Sequence, residues 1–251
     1  MEMDGLSASV EEACLNAWPA LKEIFYDGWL IRLADGETRR TNSVNVIGRG
    51  RRALDEKIAH AARIYSAHGL PAYFRIRSID DPELEARLSA LGFRAEDETR
   101  TLYMDFAASP PEQPCRAVEL TGHPPGEEWL LAHERFSGRP AATTGIRRRL
   151  LDLVALPICF AATRGGDGRI AAVAYGALHG ELLSVQWVAT DPACRRQGLS
   201  RAAVSALLLW AADRGARGAC LQVVADNTPA VRLYERMGFD RELYRYHYRV
   251  P

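Results

Sequence analysis

Residues 186–202 carry a basic, glycine-containing loop between a predicted apolar strand and a predicted apolar helix. The loop follows Asp191 and Pro192 and contains Arg195, Arg196 and Gly198. The first amides of a helix have no partner inside the helix, and the helix dipole adds partial positive charge there. Such a junction binds anions, and glycine lets the backbone come close to a ligand. The sequence therefore predicts a phosphate-binding site here.

Two patterns in this half of the chain resemble the signatures of the GCN5-related N-acetyltransferases. Arg195-x-x-Gly198-x-Ser200 is similar to the family's pyrophosphate loop, Gln/Arg-x-x-Gly-x-Gly/Ala, and Ser200 departs from it at the last position. Residues 227–239 resemble the second signature, Asn-x-x-Ala-x-x-Leu-Tyr-x-x-x-Gly-Phe. Both occur in the family's order and at its usual separation, which makes the resemblance specific.

The resemblance implies direct acetyl transfer from acetyl-CoA (coenzyme A) to a primary amine of a small molecule or peptide, without a metal. It implies that Tyr234 is the general acid for the leaving thiolate, since a phenol stays protonated near pH 7. Asn227 matches a cofactor-binding asparagine and is equally suited to cap a helix. The implied cofactor-binding residues are Val188, Ala189, Thr190, Arg195, Arg196, Gln197, Gly198, Leu199, Ser200, Arg201 and Asn227. The first three would pair through their backbone with the pantetheine arm, like an added strand.

The general base is not assigned by the sequence. An amine with a pKa of about 10 is neutral in only about one molecule in a thousand at pH 7, so a proton acceptor is useful. Many members of the family place a glutamate on a central strand, five residues before the asparagine in some of them, where this chain has Gln222. Glu181, His179 and His247 are weaker candidates. Two alternatives therefore stay open, a non-catalytic acyl-CoA-binding regulatory protein and a protein N-terminal acetyltransferase.

Three further motifs have simpler interpretations. Residues 198–202, Gly-Leu-Ser-Arg-Ala, approach a hydrolase nucleophile elbow, but the loop is too long for the sharp turn that an elbow requires. Residues 48–53 imitate a dinucleotide fingerprint, yet no acidic residue follows at the expected distance. This loop is better interpreted as the N-terminal counterpart of the Arg195 loop. The triplet Arg147 to Arg149 is expected to be a solvated helix face.

Composition limits the class of protein further. The chain has 251 residues, of which 47% are hydrophobic, and its 32 basic and 32 acidic residues give a formal net charge of +0. That balance gives no basic footprint for nucleic acid. Five scattered cysteines without C-x-x-C spacing predict reduced thiols, and the six histidines lack metal-ligand spacing. Without a long apolar run or a signal peptide, we expect no membrane association and a cytoplasmic location.

The chain is predicted to contain two related halves of α+β class, with mixed, twisted β-sheets flanked by helices. The proline-rich segment 108–114 is the expected linker between a degenerate N-terminal domain, 1–107, and a catalytic domain, 115–251. A faint internal repeat supports this, since Leu-Gly-Phe at 91–93 recurs as Met-Gly-Phe at 237–239. Strands expected in the first half are 28–33, 41–47, 72–77 and 100–106, and helices 10–20, 52–68 and 82–91. A strand at 115–120 should open the second half.

Overall fold

The computed structural model describes residues 5–36, 38–138 and 144–251, so residues 1–4 of the predicted N-terminal domain are outside it. The first half contains α1 (Gly5–Ala17), β1 (Lys22–Tyr26), β2 (Trp29–Leu33), β3 (Val44–Val46), α2 (Leu54–Ala67), β4 (Phe74–Arg77), α3 (Pro82–Ala90) and β5 (Arg94–Asp105). The second contains β6 (Glu119–Thr121), α4 (Glu127–Ser137), α5 (Thr144–Asp152), β7 (Ile158–Arg164), β8 (Ile170–His179), β9 (Leu182–Thr190), α6 (Leu199–Ala212), β10 (Gly218–Val224), α7 (Thr228–Arg236) and β11 (Arg241–Val250).

All these strands form one mixed sheet in the order β1-β2-β3-β4-β11-β5-β10-β9-β8-β7-β6. The β3–β4 and β9–β10 pairs are parallel, and the other neighbours are antiparallel. Each parallel pair is connected by a helix, α2 or α6, as a parallel connection requires. The predicted α+β fold with a mixed sheet flanked by helices is confirmed.

The last strand of each half lies in the sheet of the other half. Strand β5 pairs with β10 through Leu102 and Leu221, and with β11 through Leu102 and Glu242. On its other side, β11 pairs with β4 through Tyr246 and Arg77. The two halves therefore share backbone hydrogen bonds across the middle of the sheet. Division of the chain into two domains at 108–114 stays a prediction.

The first half differs from the sequence-based expectation at its edges. A hairpin of β1 and β2, turning at Asp27-Gly28 with positive φ at both residues, was not predicted. Its outer strand is largely exposed and lacks the apolar alternation that marks a strand. Strand β5 begins at Arg94, because its polar first residues pair with β11 by backbone bonds that composition does not reveal. Where a strand was expected at 115–120, the structure has only the short strand β6, which begins at Glu119.

Helix α1 belongs by position to the second half, although the chain enters it first. It packs against β8, β9 and β10. The Tyr175 hydroxyl of β8 donates to the Ala17 carbonyl at 2.9 Å, and the Cys14 and Cys220 sulfurs lie 3.9 Å apart in the buried interface. All five cysteines are free thiols. Among the described residues, no helix is long and apolar enough to cross a membrane.

A buried ionic network joins α1 to the strands of both halves. Both Glu11 oxygens accept from the Arg75 guanidinium, and the Tyr244 hydroxyl donates to Glu11 Oε2 at 2.5 Å. Burial alone raises the pKa of Glu11, but the charge and hydrogen bonds of Arg75, with smaller contributions from Arg77 and Tyr244, lower it from 4.5 to about 2. The ionised carboxylate is thus the form that the fold stabilises.

We predict that Glu11→Gln lowers the free energy of unfolding by about 3 to 5 kcal/mol at neutral pH, because the buried Arg75 loses its counter-charge while Arg77 keeps its pair with Asp80. The folded-state pKa of Glu11 is below the unfolded value of 4.5, so its contribution is complete above that pH and is lost toward pH 2. Urea unfolding measured from pH 7 to pH 3 should therefore show the gap between wild type and variant narrowing below pH 4.5.

The control is Asp55→Asn, which removes a pair with Arg87 whose side chains are 62% and 42% exposed. That variant should unfold nearly as the wild type does, because water screens exposed pairs. A Glu11→Gln protein as stable as the control variant would show that the network does not hold α1 in place.

Candidate active site

A cleft opens where the two parallel strands β9 and β10 separate. Their pairing ends at Val185 and Leu221. Beyond that point β9 carries an extra residue relative to β8, because Tyr175 pairs with Gln186 while Val173 pairs with Ala189. Trp187, inside this bulge, has a φ of 51°. A bulge bends its strand, and here it accompanies the separation of β9 from β10.

The cleft has a volume of about 1130 Å³ and collects most of the residues that the sequence singled out. Those that line it are Val188, Ala189, Thr190, Arg195, Arg196, Gly198, Leu199, Ser200, Arg201, Asn227 and Tyr234. Gln197 is not among the lining residues, and its carbonyl accepts from Arg116 Nε at 3.1 Å. Residues from strands, a loop and two helices thus meet in one cleft.

The loop before α6 presents free amides to the cleft. Gly198 caps the helix in the left-handed region with φ 77°, and the first helical bond runs from the Ala202 amide to the Gly198 carbonyl at 3.0 Å. The amides of 198–201 therefore have no helical partner. Thr190 Oγ1 donates to Ser200 Oγ at 3.0 Å, which ties the end of β9 to the start of α6. Ser200 thus has a structural contact that the usual glycine or alanine lacks.

The cations of this loop are exposed at the mouth of the cleft. Arg195 and Arg196 are solvent-exposed. Arg201 pairs with Glu112 of the proline-rich segment at 2.6 Å, with 45% and 71% of the two side chains exposed. Exposed pairs of this kind contribute about 0 to 1 kcal/mol, so an anionic ligand can replace Glu112 at little cost.

The equivalent loop in the first half is occupied by the chain's own carboxylate. The Arg51 and Arg52 amides both donate to Asp27, at 2.9 Å and 3.0 Å, and the Lys57 ammonium donates to the Asp27 carbonyl at 2.6 Å. These amides lower the pKa of Asp27. A Cβ added to Gly50 would lie 2.0 Å from Asp27 Oδ2, so the glycine there makes room for an internal anion. The Asp27 carboxylate therefore already accepts hydrogen bonds from the amides that would otherwise bind a phosphate.

Tyr234 lies on α7 with its ring in the protein and is 7% exposed. It packs edge-on against Phe239, with ring centroids 6.0 Å apart. Within the described residues its hydroxyl makes no hydrogen bond, and the residue lines the cleft. Burial raises the pKa of the Tyr234 phenol, so it is protonated at neutral pH. Asn227 caps the same helix, since its Oδ1 accepts from the Ala230 amide at 3.3 Å.

The cleft floor contains a polar chain that the sequence did not reveal. Arg40 donates to Gln186 Oε1 at 2.9 Å and to the Tyr246 hydroxyl at 3.5 Å. That hydroxyl donates to Gln222 Oε1 at 3.3 Å. Arg40, Gln222 and Tyr246 are far apart in the chain and belong to no shared motif, so only the shared sheet could bring them together.

The three weaker base candidates lie outside the cleft. Glu181 pairs with Arg217 at 3.0 Å, His179 lies 3.7 Å from Glu12, and His247 lies 3.2 Å from Glu85. None of the three lines the cleft. Two titratable groups that do line the cleft are Asp97 and His133. The sequence analysis missed them because neither lies in a family signature.

One wall of the cleft is aromatic. Trp187 packs edge-on against Trp18 at 4.4 Å between centroids and stacks on His133 at 4.3 Å. Arg147 also lines this cleft and is only 3% exposed, so the expectation of a solvated face at 147–149 was wrong for that residue. Three adjacent arginines on a helix point in different directions, and composition does not reveal which one turns inward. The described residues hold no cluster suited to a metal ion.

The fold and the site are those of a GCN5-related N-acetyltransferase in tandem form. Strand β9 bulges and separates from its parallel neighbour, a glycine loop precedes α6, and a tyrosine lies on the next helix. The chain belongs to the family whose model is described as probable histone acetyltransferase Rv0428c, C-terminal, which matches residues 8–249. The family, including its tandem arrangement, is the one that the sequence signatures predicted.

Solved structures support the same fold. A GCN5-related N-acetyltransferase from Kribbella flavida has a TM-score of 0.73 at 17% identity, covering 98% of this chain and 96% of that one. A tandem GNAT protein from the clavulanic acid biosynthesis pathway has a TM-score of 0.68 at 14% identity, covering 88% and 77%. At such identities these similarities concern the fold alone.

Similar sequences carry acetyltransferase names. The probable histone acetyltransferase Rv0428c of Mycobacterium tuberculosis is 26% identical over 238 residues, which is 92% of this chain and 70% of that protein. A mycothiol acetyltransferase of Clavibacter sepedonicus is 33% identical over 118 residues, and one of Rhodococcus erythropolis is 44% identical over 61 residues. The matches span only 39% and 20% of the length of these two relatives.

We predict that Gly198→Val weakens coenzyme A binding roughly tenfold or more. A β-branched residue is strained at φ 77°, and relief of that strain moves the amides that face the cleft. Each factor of ten corresponds to about 1.4 kcal/mol, which is comparable with the strain of one left-handed residue. Titration calorimetry with coenzyme A measures the change.

Gly166→Val is the matched control, since Gly166 lies in the exposed β7–β8 turn with open space around its Cβ position. It should bind coenzyme A as the wild type does. Equal affinity in both variants would remove the loop from the cofactor site.

Proposed function

We propose that this protein transfers the acetyl group of acetyl-CoA directly to a primary amine of a small molecule or peptide. The observation that carries the proposal is the single cleft that joins the free amides of 198–201 to the hydroxyl of Tyr234. The proposal includes no metal and retains the cytoplasmic location expected from the sequence.

The cleft residues fit coenzyme A by their chemistry. Free amides at the start of α6, with Arg195 and Arg196 beside them, suit the pyrophosphate. Past Val185, β9 has no strand on its β10 side, so the backbone of 188–190 has an edge available for the amides of the pantetheine arm. Gln197 would contribute through its amide only, and Asn227 would contact the cofactor while capping α7.

When bound, acetyl-CoA supplies the activated acetyl group, and the protein's residues manage the charges and protons. As the carbon–sulfur bond breaks, negative charge develops on sulfur. The Tyr234 hydroxyl holds its proton at neutral pH and donates it to that sulfur. Its lack of a hydrogen bond within the described residues leaves the proton available, and burial strengthens the interaction with the developing charge.

The attacking amine must lose a proton, and Gln222 cannot accept it. Its Oε1 already accepts a hydrogen bond from the Tyr246 hydroxyl at 3.3 Å, so Gln222 serves as a neutral group that positions Tyr246. The cleft offers the Asp97 carboxylate and the His133 imidazole as acceptors, directly or through water. Asp97 also pairs with Arg39 at 2.5 Å.

Gln222 also motivates the second candidate function, a non-catalytic acyl-CoA-binding regulator. Release of the free thiol from acetyl-CoA, followed with a panel of small amines, amino acids, peptide N-termini and a histone peptide, distinguishes the two. Turnover with any acceptor supports the enzyme. Micromolar binding of acetyl-CoA with no turnover across the panel supports the regulator. A strict preference for peptide N-termini would instead favour the N-terminal acetyltransferase.

We predict that Tyr234→Phe lowers kcat by about 10- to 1,000-fold and leaves the affinity for acetyl-CoA nearly unchanged, because only the proton donor is removed. The initial rate of thiol release at saturating substrate gives kcat, and calorimetry gives the affinity for acetyl-CoA. Tyr26→Phe is the control, since Tyr26 is not among the residues that line the cleft and its hydroxyl donates to Glu56 at 3.5 Å. A rate in Tyr234→Phe equal to that of the control would exclude Tyr234 from the mechanism.

A further inference from the structure

Arg40 brings a positive charge to the cleft floor from the first half of the chain. It lies in the short helical turn at 39–41, and its guanidinium reaches Gln186 of β9 and Tyr246 of β11. Both partners are neutral. No acidic side chain among the described residues lies within ion-pair distance of Arg40.

Arg39, the neighbouring residue, differs from Arg40 because acidic side chains compensate its charge. Arg39 pairs with Glu96 at 2.6 Å and with Asp97 at 2.5 Å. Arg40 has no such partner, although a partly buried cation is costly without an opposite charge. A guanidinium in this state suits a planar carboxylate, which it can bind through two parallel hydrogen bonds.

A second donor without a partner faces the same cleft. Gln222 Nε2 is buried and has no hydrogen-bond partner among the described residues, while its Oε1 is used by Tyr246. The Tyr246 hydroxyl is itself used at both ends, as acceptor from Arg40 and donor to Gln222. The floor therefore carries a positive charge and one unpartnered amide N–H group, while the Gln186 and Gln222 amide oxygens already accept hydrogen bonds. Such a surface requires an acceptor of hydrogen bonds.

The wall formed by Trp187 adds an apolar requirement. Trp187 is only partly buried, and Trp18 and His133 hold its ring in place from two sides. A rigid aromatic surface of this kind favours an apolar or ring-bearing group on the ligand.

We propose that the amine acceptor carries a carboxylate, which Arg40 binds with help from Gln222, and an apolar group that packs against Trp187. The acceptor class is then that of amino acids with apolar or aromatic side chains. This inference rests on the proposed function, since it names the acceptor for the same cleft. Arg40 is the residue that determines specificity for the carboxylate.

The kinetic test compares L-phenylalanine with L-phenylalaninol, in which a hydroxyl replaces the carboxylate, and with glycine, which lacks the ring. The wild type should prefer phenylalanine over phenylalaninol in kcat/KM by about 10- to 100-fold, the range expected for a charged hydrogen bond. Arg40→Gln should remove that preference by lowering kcat/KM for phenylalanine alone. Arg40→Lys, which keeps the charge, should restore part of it.

Arg39→Gln is the matched control, because it removes a neighbouring arginine whose charge Glu96 and Asp97 already compensate. It should keep the wild-type ratio of the two substrates. A ratio near one in the wild type, or an equal loss of the ratio in the Arg39 and Arg40 variants, would overturn the inference. Circular dichroism establishes that each variant is folded.

An equilibrium measurement separates this inference from the proposed function. In the presence of coenzyme A, calorimetry with 3-phenylpropanoate and 3-phenylpropan-1-ol should show at least about tenfold tighter binding of the carboxylate by the wild type and equal binding by Arg40→Gln. If no amine is acetylated while this difference persists, the function is wrong and the carboxylate site stands. If amines are acetylated without regard to a carboxylate, and the two ligands bind equally, the inference is wrong and the function stands.

Discussion

Backbone pairing of β5 with β10 and β11 is the constraint on which the rest of the structure depends. A central strand must satisfy its N–H and C=O groups on both sides, and β5 does so with two strands of the other half. Strand β11 likewise bridges β4 and β5. Because each half supplies the other's final strand, neither half completes its own sheet. The buried Glu11–Arg75–Tyr244 network lies across this junction and adds a charge requirement to it.

The exchange also explains how the first half reaches the candidate active site without cofactor signatures of its own. Arg40 contacts β9 and β11, and residues 97–99 of β5 lie beside β11 and β10. Both segments therefore contribute to one side of the cleft between β9 and β10. The second half provides the free amides and Tyr234. The first half provides Arg40, the cation that we assign to the acceptor. In that proposal the carboxylate of the acceptor is bound from the first half, and its apolar group packs against Trp187 of the second half.

The two strand–loop–helix junctions show how one architecture gives two outcomes. Both present amides at a helix start, but Asp27 from the β1–β2 turn fills the first with a carboxylate. At the second, the described residues bring no carboxylate to the amides of 198–201. The difference comes from Asp27 alone. This residue lies 24 positions before Arg51, the loop residue whose amide it accepts a hydrogen bond from. A motif search of the loop alone does not find it.

The sequence by itself determined the family, the strand–loop–helix junction, the capping of α7 by Asn227 and the positions of most helices, because these depend on residues within one or two turns of each other. It also grouped Gly198, Asn227 and Tyr234 through their spacing. Only the tertiary structure decided the strand exchange, the occupation of the first loop by Asp27, the inward position of Arg147 and the Arg40–Tyr246–Gln222 chain. These depend on pairing between segments far apart in sequence, where backbone hydrogen bonds carry no residue-specific pattern.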